Sequence, residues 1–375
     1  RLVAVIIALP APGQSKTPES APAVPAAALA DQWPSSRGDL LNTGRSRSTK
    51  DAIKGQLKWK FMASNAVTNT PIIEDGVVYF GAADGSFYAI DQLTGLRLWQ
   101  APNTVEKGGY TYSNPAISGD RVIAAMENGT ITAFHRKDGR VLWTRQMPGV
   151  VYSSLRCAGG KVLFGSLDKH FYALHAETGK TAWKFECGDD VGSTCAVTRA
   201  GKVWFPSHDK NLYCLNLETG EKLTVYNIGY RSTGQVAISH GCLYMCMTGR
   251  KIGCIDLADG SMRWHHDNLE PHNQGIGVWQ DQVMVHIGKF LFCFDALSGA
   301  QRWKTILDSS GAVSPCSGPA YAYIADTKGK VYALDAKSGD IKWKFEIQPG
   351  GWSSPVLVDG TIFIGDATGY VYAIE

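Results

Sequence analysis

The sequence predicts an all-β protein, an eight-bladed β-propeller of four-stranded antiparallel blades whose ring is closed by an N-terminal strand. Three observations predict it. A Gly-x-x-x-Trp spacing recurs roughly every 40 residues, a strand of alternating character ends on a polar turn residue before each copy, and an unpaired strand is left at each end of the array.

The spacing is read first. Gly and Trp stand four apart at Gly55/Trp59, Gly95/Trp99, Gly139/Trp143, Gly179/Trp183, Gly260/Trp264, Gly299/Trp303 and Gly339/Trp343, with Gly220/Thr224 as a degenerate eighth copy. Four residues before each glycine from Gly95 onward lies a polar residue: Asp91, His135, His175, Asn216, Asp256, Asp295 and Asp335, with Glu375 as the last equivalent.

Each polar residue closes a strand such as FYAID (87–91) or VYALD (331–335), where alternation and aromatic enrichment mark a half-buried strand. The D-x-x-[TS]-G that follows is turn chemistry. Upstream lies a second strand of the VVYFG kind (77–81), and before it a third, introduced by steps such as Thr70-Pro71, Asn114-Pro115 and Ser354-Pro355. With the Trp strand, one repeat holds four short strands, the content of a propeller blade. The last copy stops at Glu375 after three strands, and the first Trp strand, 55–61, precedes every three-strand unit. Pairing the two orphans closes the ring and removes an exposed edge.

Composition agrees with the fold and narrows the function. With 41 Gly, 11 Trp, 15 Tyr, 13 Phe and 19% charged residues, the chain is aromatic-rich and full of turns. Its 37 Lys+Arg and 34 Asp+Glu leave a net charge of +3 without a run of like charges, so no nucleic-acid surface is expected.

The strings YAIDQLTGLRLW (88–99) and YALDAKSGDIKW (332–343) resemble the tryptophan-docking repeat of pyrroloquinoline-quinone (PQQ)-like propellers, and the resemblance covers 55–375. It implies that Trp59, Trp99, Trp143, Trp183, Trp264, Trp303 and Trp343 dock in the seams between blades. Thr224 lacks that ring, so its seam is expected to be the weakest joint unless Tyr226 compensates. The family includes quinoprotein dehydrogenases, which hold PQQ and Ca²⁺ at the channel mouth, and non-catalytic members such as the outer-membrane assembly factor BamB. The sequence has no adjacent Cys-Cys pair, no long insertions between blades and no assignable Ca²⁺ ligand set. The expected function is therefore a non-catalytic scaffold or binding module without cofactor, with a protein partner in the cell envelope. The alternative is a PQQ- and Ca-dependent oxidoreductase acting on alcohols or sugars, and a small-molecule ligand stays open.

Three segments are expected. Residues 1–30 join the apolar stretch LVAVIIAL (2–9) to a Pro/Ala-rich run, which reads as a signal peptide too short to span a bilayer, so the protein is expected to be periplasmic or extracellular. Residues 31–54, with WPSSRGDLLNTG (33–44), form a lead-in, and 55–375 form the propeller.

Cys214, Cys254 and Cys293 occupy the slot filled elsewhere by Ala89, Ala133, Ala173, Ala333 and Ala373, where a thiol acts as a small hydrophobe. No metal site is expected. His135 and His175 fall in the turn slot, and the neighbours His265 and His266 face opposite ways in an extended segment. Binding candidates lie instead on the segments that enter the innermost strands: Tyr110, Tyr112, Tyr152, Asp190, Tyr230, Arg231, His272 and Trp352. Aromatics beside a lone Arg have the composition of a protein-binding hot spot. The competing reading is that these polar segments cap strand ends and line a narrow channel.

Overall fold

The computed structural model describes residues 32–35, 37–101, 113–232, 234–248, 251–267, 275–311, 313–350 and 353–375. They form thirty-two strands in eight four-stranded sheets. The expected leader, residues 1–30, lies outside the described residues. Among the described residues no helix is long and apolar enough to cross a membrane.

After the ring-closing strand β1 (Leu57–Met62), the first blade runs outward as β2 (Ile72–Glu74), β3 (Val77–Gly81), β4 (Phe87–Asp91) and β5 (Arg97–Ala101). Blades 2 to 7 repeat this order, and blade 8 consists of Val356–Val358, Thr361–Gly365, Tyr370–Ile374 and β1. The period of two explains why the middle strands are apolar at nearly every position. Tyr79, Phe87 and Ala89 enter the seam with blade 2, against Ile117, Val122 and Phe134, whereas Phe80, Tyr88 and Ile90 enter the seam with blade 8, against Trp59 and Phe363. Both faces of every blade are therefore core.

The orphan strands meet as expected. β1 pairs antiparallel with Tyr370–Ile374, Trp59 opposite Ala373, and Gln56 and Glu375 exchange both backbone hydrogen bonds at 3.1 and 2.9 Å. Asp51, four residues before Gly55, ties the start of this strand to blade 7, its carboxylate accepting from the Ala320 N–H and the Tyr323 hydroxyl.

The docking rings obey one rule around the circle. Each Trp lies on the turn glycine of the next blade, Trp59 on Gly95 and so on to Trp343 on Gly55, and its indole N–H donates to the carbonyl just after the turn residue, as Trp59 does to Gln92 at 3.0 Å. These glycines are fixed twice over, since each adopts positive φ, between 62° and 78°, and a Cβ would overlap the ring. Thr224 stands opposite Cys214, in the register where Trp stands opposite Ala or Cys elsewhere. Two residues on, and hence on the same face, Tyr226 covers Gly260 and its hydroxyl donates to the Leu257 carbonyl at 3.2 Å. The seam expected to be weakest is filled from a neighbouring position.

The lead-in does more than precede the propeller: it runs around the inside of the ring and bonds to every blade. Trp33 exchanges backbone hydrogen bonds with Ile73 of blade 1 at 2.6 and 2.8 Å, and the Pro34 carbonyl accepts from Ile117 of blade 2 at 3.0 Å. Arg156 of blade 3 donates from Nη1 to the Asp39 carbonyl at 2.8 Å. The carbonyls of Leu40, Leu41, Thr43 and Gly44 then accept from Val197, Ile238, Val278 and Ser317 of blades 4 to 7, and Ser46 Oγ donates to the Leu357 carbonyl of blade 8 at 2.7 Å. The innermost strands present unpaired backbone groups on their inner side, and the lead-in satisfies them mainly with its own backbone carbonyls.

Candidate functional site

Two different faces result. On one, the hairpins between the first and second strands of each blade pack beside the docking turns, as the Gln92 N–H to Gly76 carbonyl bond shows, and the lead-in closes the centre. On the other, the connections into the innermost strands meet the turns between the second and third strands, as in the Ala83 N–H to Ala66 carbonyl bond. The sequence-derived candidates that fall among the described residues, Tyr152, Asp190, Tyr230 and Arg231, belong to this second face.

Its inner rim is a belt of polar residues bonded across the seams. Thr70 N–H donates to Asn114 Oδ1 at 2.6 Å, Asn114 Nδ2 to Ser154 Oγ at 2.9 Å, and Ser154 N–H to Thr194 Oγ1 at 3.0 Å. Ser314 N–H donates to Ser354 Oγ at 3.0 Å, and Ser354 N–H to Thr70 Oγ1 at 3.2 Å. In the belt the polar residues cap strand ends, so these hydroxyls are committed to the fold.

Outside the belt, the structure gathers part of the candidate set on one sector. Arg231, exposed on the connection into blade 5, pairs with Asp189 at 3.1 Å on the connection into blade 4. The next residue, Asp190, accepts the His208 N–H on its backbone carbonyl at 2.9 Å. Lys251 lies 5.0 Å from the centroid of the Tyr230 ring and pairs with Asp267 at 2.7 Å. Tyr152 stands apart on the connection into blade 3, 43% exposed, its hydroxyl donating to Glu127 at 2.7 Å. Tyr110, Tyr112, His272 and Trp352 lie outside the described residues.

The acidic groups of this face have prior engagements. Asp168, Asp209, Asp326 and Asp366 accept the hydroxyls of Tyr172, Tyr213, Tyr332 and Tyr372 at 2.6 to 2.9 Å. Among the described residues no group of three or more His, Cys, Asp or Glu is placed to hold a metal ion. His286, buried among the strands of blade 6, is held neutral by burial, which pushes its imidazole down to about 4.

Sequence reasoning missed the deepest charged group. Arg37 of the lead-in and Arg156 of the innermost strand of blade 3 are both fully enclosed, at 2% and 0% exposure. Arg37 Nη2 donates to the Ile276 carbonyl at 2.6 Å, two residues nearer the open mouth than the Val278 contact of the lead-in backbone. Burial lowers both guanidinium groups, Arg37 to about 10. Repeat register supplies the signal that could have exposed this. Arg156 stands where the other blades place Ile72, Ala116, Ala196, Ala237, Gly277, Cys316 and Val356.

Comparison with known proteins agrees with this architecture. A family model described as outer membrane protein assembly factor BamB matches residues 27–147, 106–244 and 248–375. The outer membrane protein assembly factor BamB of Nitrosomonas eutropha is 24% identical over 283 residues, 71% of this chain and 58% of that protein. The quinohemoprotein alcohol dehydrogenase ADH IIB of Pseudomonas putida is 30% identical over 134 residues, 31% of this chain and 19% of that protein. The match thus spans less than two thirds of either relative. Among solved structures, BamB from Moraxella catarrhalis superposes with a TM-score of 0.71 at 15% identity, covering 85% of this chain and 96% of that one. Quinohemoprotein alcohol dehydrogenase from Comamonas testosteroni superposes with a TM-score of 0.79 at 14% identity, covering 92% and 80%. The two superpositions speak for the fold, and the family model, which matches nearly all of the described residues, decides the family: this chain belongs to the BamB-type family of PQQ-like β-propellers.

Proposed function

We propose that this protein is an exported, non-catalytic scaffold of the cell envelope that binds a protein partner through the open face of the ring, at the sector of Asp190, Tyr230 and Arg231 and at Tyr152 on the neighbouring connection into blade 3. One observation carries the reading: the chain's own lead-in occupies the centre of one face, while the other presents an exposed aromatic and a charged cluster around its rim. Tyr and Arg supply large contact area and directional bonds at such surfaces. The Nitrosomonas relative, an outer membrane protein assembly factor, supports a place in the cell envelope and the same kind of role. The leader-like residues 1–30 support export.

A calcium-bound quinone finds little to hold it among the described residues. The turn carboxylates are bonded to tyrosines, Asp189 is paired with Arg231, and the belt hydroxyls accept from backbone and amide N–H groups across the seams. The oxidoreductase alternative is tested directly. The protein is incubated with PQQ and Ca²⁺, passed over gel filtration and assayed for dye reduction with alcohols and sugars. Stoichiometric quinone retention with turnover would overturn the scaffold reading. A photo-crosslinker at Arg231 is expected to capture a discrete envelope protein, and one at Lys337 on the opposite face is not.

A further inference from the structure

The enclosed arginines present an unbalanced charge. Asp39 is the carboxylate that acts on both guanidinium groups among the described residues, and both of its oxygens accept from Thr43, from the backbone N–H at 3.0 Å and from the hydroxyl. Among the described residues two cations therefore share one anion where the lead-in lies against the innermost strands. An uncompensated buried charge is strongly destabilising, so such a group calls for a partner.

The unused donors have a definite shape. Arg156 spends Nη1 on Ser35 Oγ and the Asp39 carbonyl, which leaves Nε and Nη2 without an acceptor among the described residues. Those two atoms form the side-on edge of the guanidinium, two parallel donors spaced to match the oxygens of one oxyanion. Arg37 spends Nη2 on the Ile276 carbonyl and likewise has an unpartnered Nε. A Lys would offer a point charge, but a fork requires a ligand with at least two oxygens on one centre.

We propose that Arg37 and Arg156 form a binding site for a small oxyanion, a free carboxylate or phosphate, at the closed end of the channel. The anion balances the charge and seats against the side-on edge of Arg156, with Arg37 donating from the lead-in. Occupancy ties the lead-in to blade 3 and so couples the site to ring stability.

The test uses the whole chain, titrated with sodium phosphate and sodium acetate against sodium chloride at constant ionic strength, followed by melting temperature and by calorimetry. A saturable rise in melting temperature with about one site per chain is expected, and the stronger arm identifies the oxyanion class. Phosphate also stabilises proteins by exclusion from their surface, without saturation, so the difference from R156L is the measured quantity. R156L places an apolar residue where the other blades have one. It is expected to remove the saturable response and to leave the anion-free protein at least as stable. R156K, which keeps charge but not the fork, is expected to bind at least tenfold more weakly. Equal melting temperatures of the wild type in all three salts, or unchanged affinity in R156K, would overturn the site even if R156L failed to fold.

Discussion

Tyr226 covers Gly260 as each docking Trp covers the turn glycine of the next blade, and its hydroxyl reaches the Leu257 carbonyl at 3.2 Å, where an indole N–H would otherwise donate. Trp204 supports it from below, the two rings 6.1 Å apart and nearly parallel. The seat is thus defined by a glycine and a carbonyl, and any ring with a donor at its far end fills it.

Tyr226→Ala is therefore expected to destabilise the ring by about 3 kcal/mol, at the low end of the range for truncating a buried aromatic. Tyr226→Phe should cost only about 1 kcal/mol, for the lost hydrogen bond. Denaturant unfolding measures both. Amide protection over 202–235 should match the flanking blades, and early exchange confined to that span would show that Tyr226 does not replace the missing Trp.

Gly260 and Gly241 form a matched pair. Their φ values are +78° and +71°, yet a Cβ at Gly260 overlaps Tyr226, and one at Gly241 meets nothing within 4 Å. Gly241→Ala should cost only the left-handed strain of about 1–2 kcal/mol. Gly260→Ala should cost at least twice as much, because the ring must leave its seat. Similar losses in the two variants would show that the ring adjusts freely.

The lead-in and the closing strand are separate devices. Deleting residues 1–62 removes both, whereas deleting 1–50 removes the inner segment and keeps Asp51 and β1. The shorter deletion is expected to lower the melting temperature by many degrees and speed exchange at Val197, Ile238 and Val278, whose N–H groups bond to the lead-in. Unchanged exchange at those three amides would refute the contacts.

His286 makes stability fall in acid. Its folded-state value is near 4, against 6.5 unfolded, so between these limits the unfolded chain takes up a proton that the native ring refuses. Stability is full above about pH 6.5 and declines as pH falls toward 4, by up to about 3 kcal/mol, the linkage limit for such a gap. His286→Leu should flatten this part of the stability curve, measured by urea unfolding at pH 7, 5.5 and 4.5.

The blade count, the closing pair 55–61 with 369–375 and the docking role of the Trp residues were legible in the sequence, because each depends on a local pattern repeated eight times in register. The slot shared by Ala and by Cys214, Cys254 and Cys293 was legible for the same reason, and each stands opposite its docking position or, for Cys214, Thr224. Of the candidate site, only the face could be read. Which residues share a sector, as Arg231 and Asp189 do, depends on the twist between adjacent connections.

The path of the lead-in was decided only by the tertiary structure. Its bonds join residues more than 300 positions apart and mostly use backbone groups, which leave no trace in side-chain pattern. The two arginines are enclosed for the same reason. Arg156 breaks the repeat visibly, but Arg37 lies outside the repeat, and its enclosure exists only once the ring has closed around the segment that carries it. Periodic burial can be read from one chain because every repeat restates it. A contact made once, across the axis of a ring, is stated nowhere but in the closed fold.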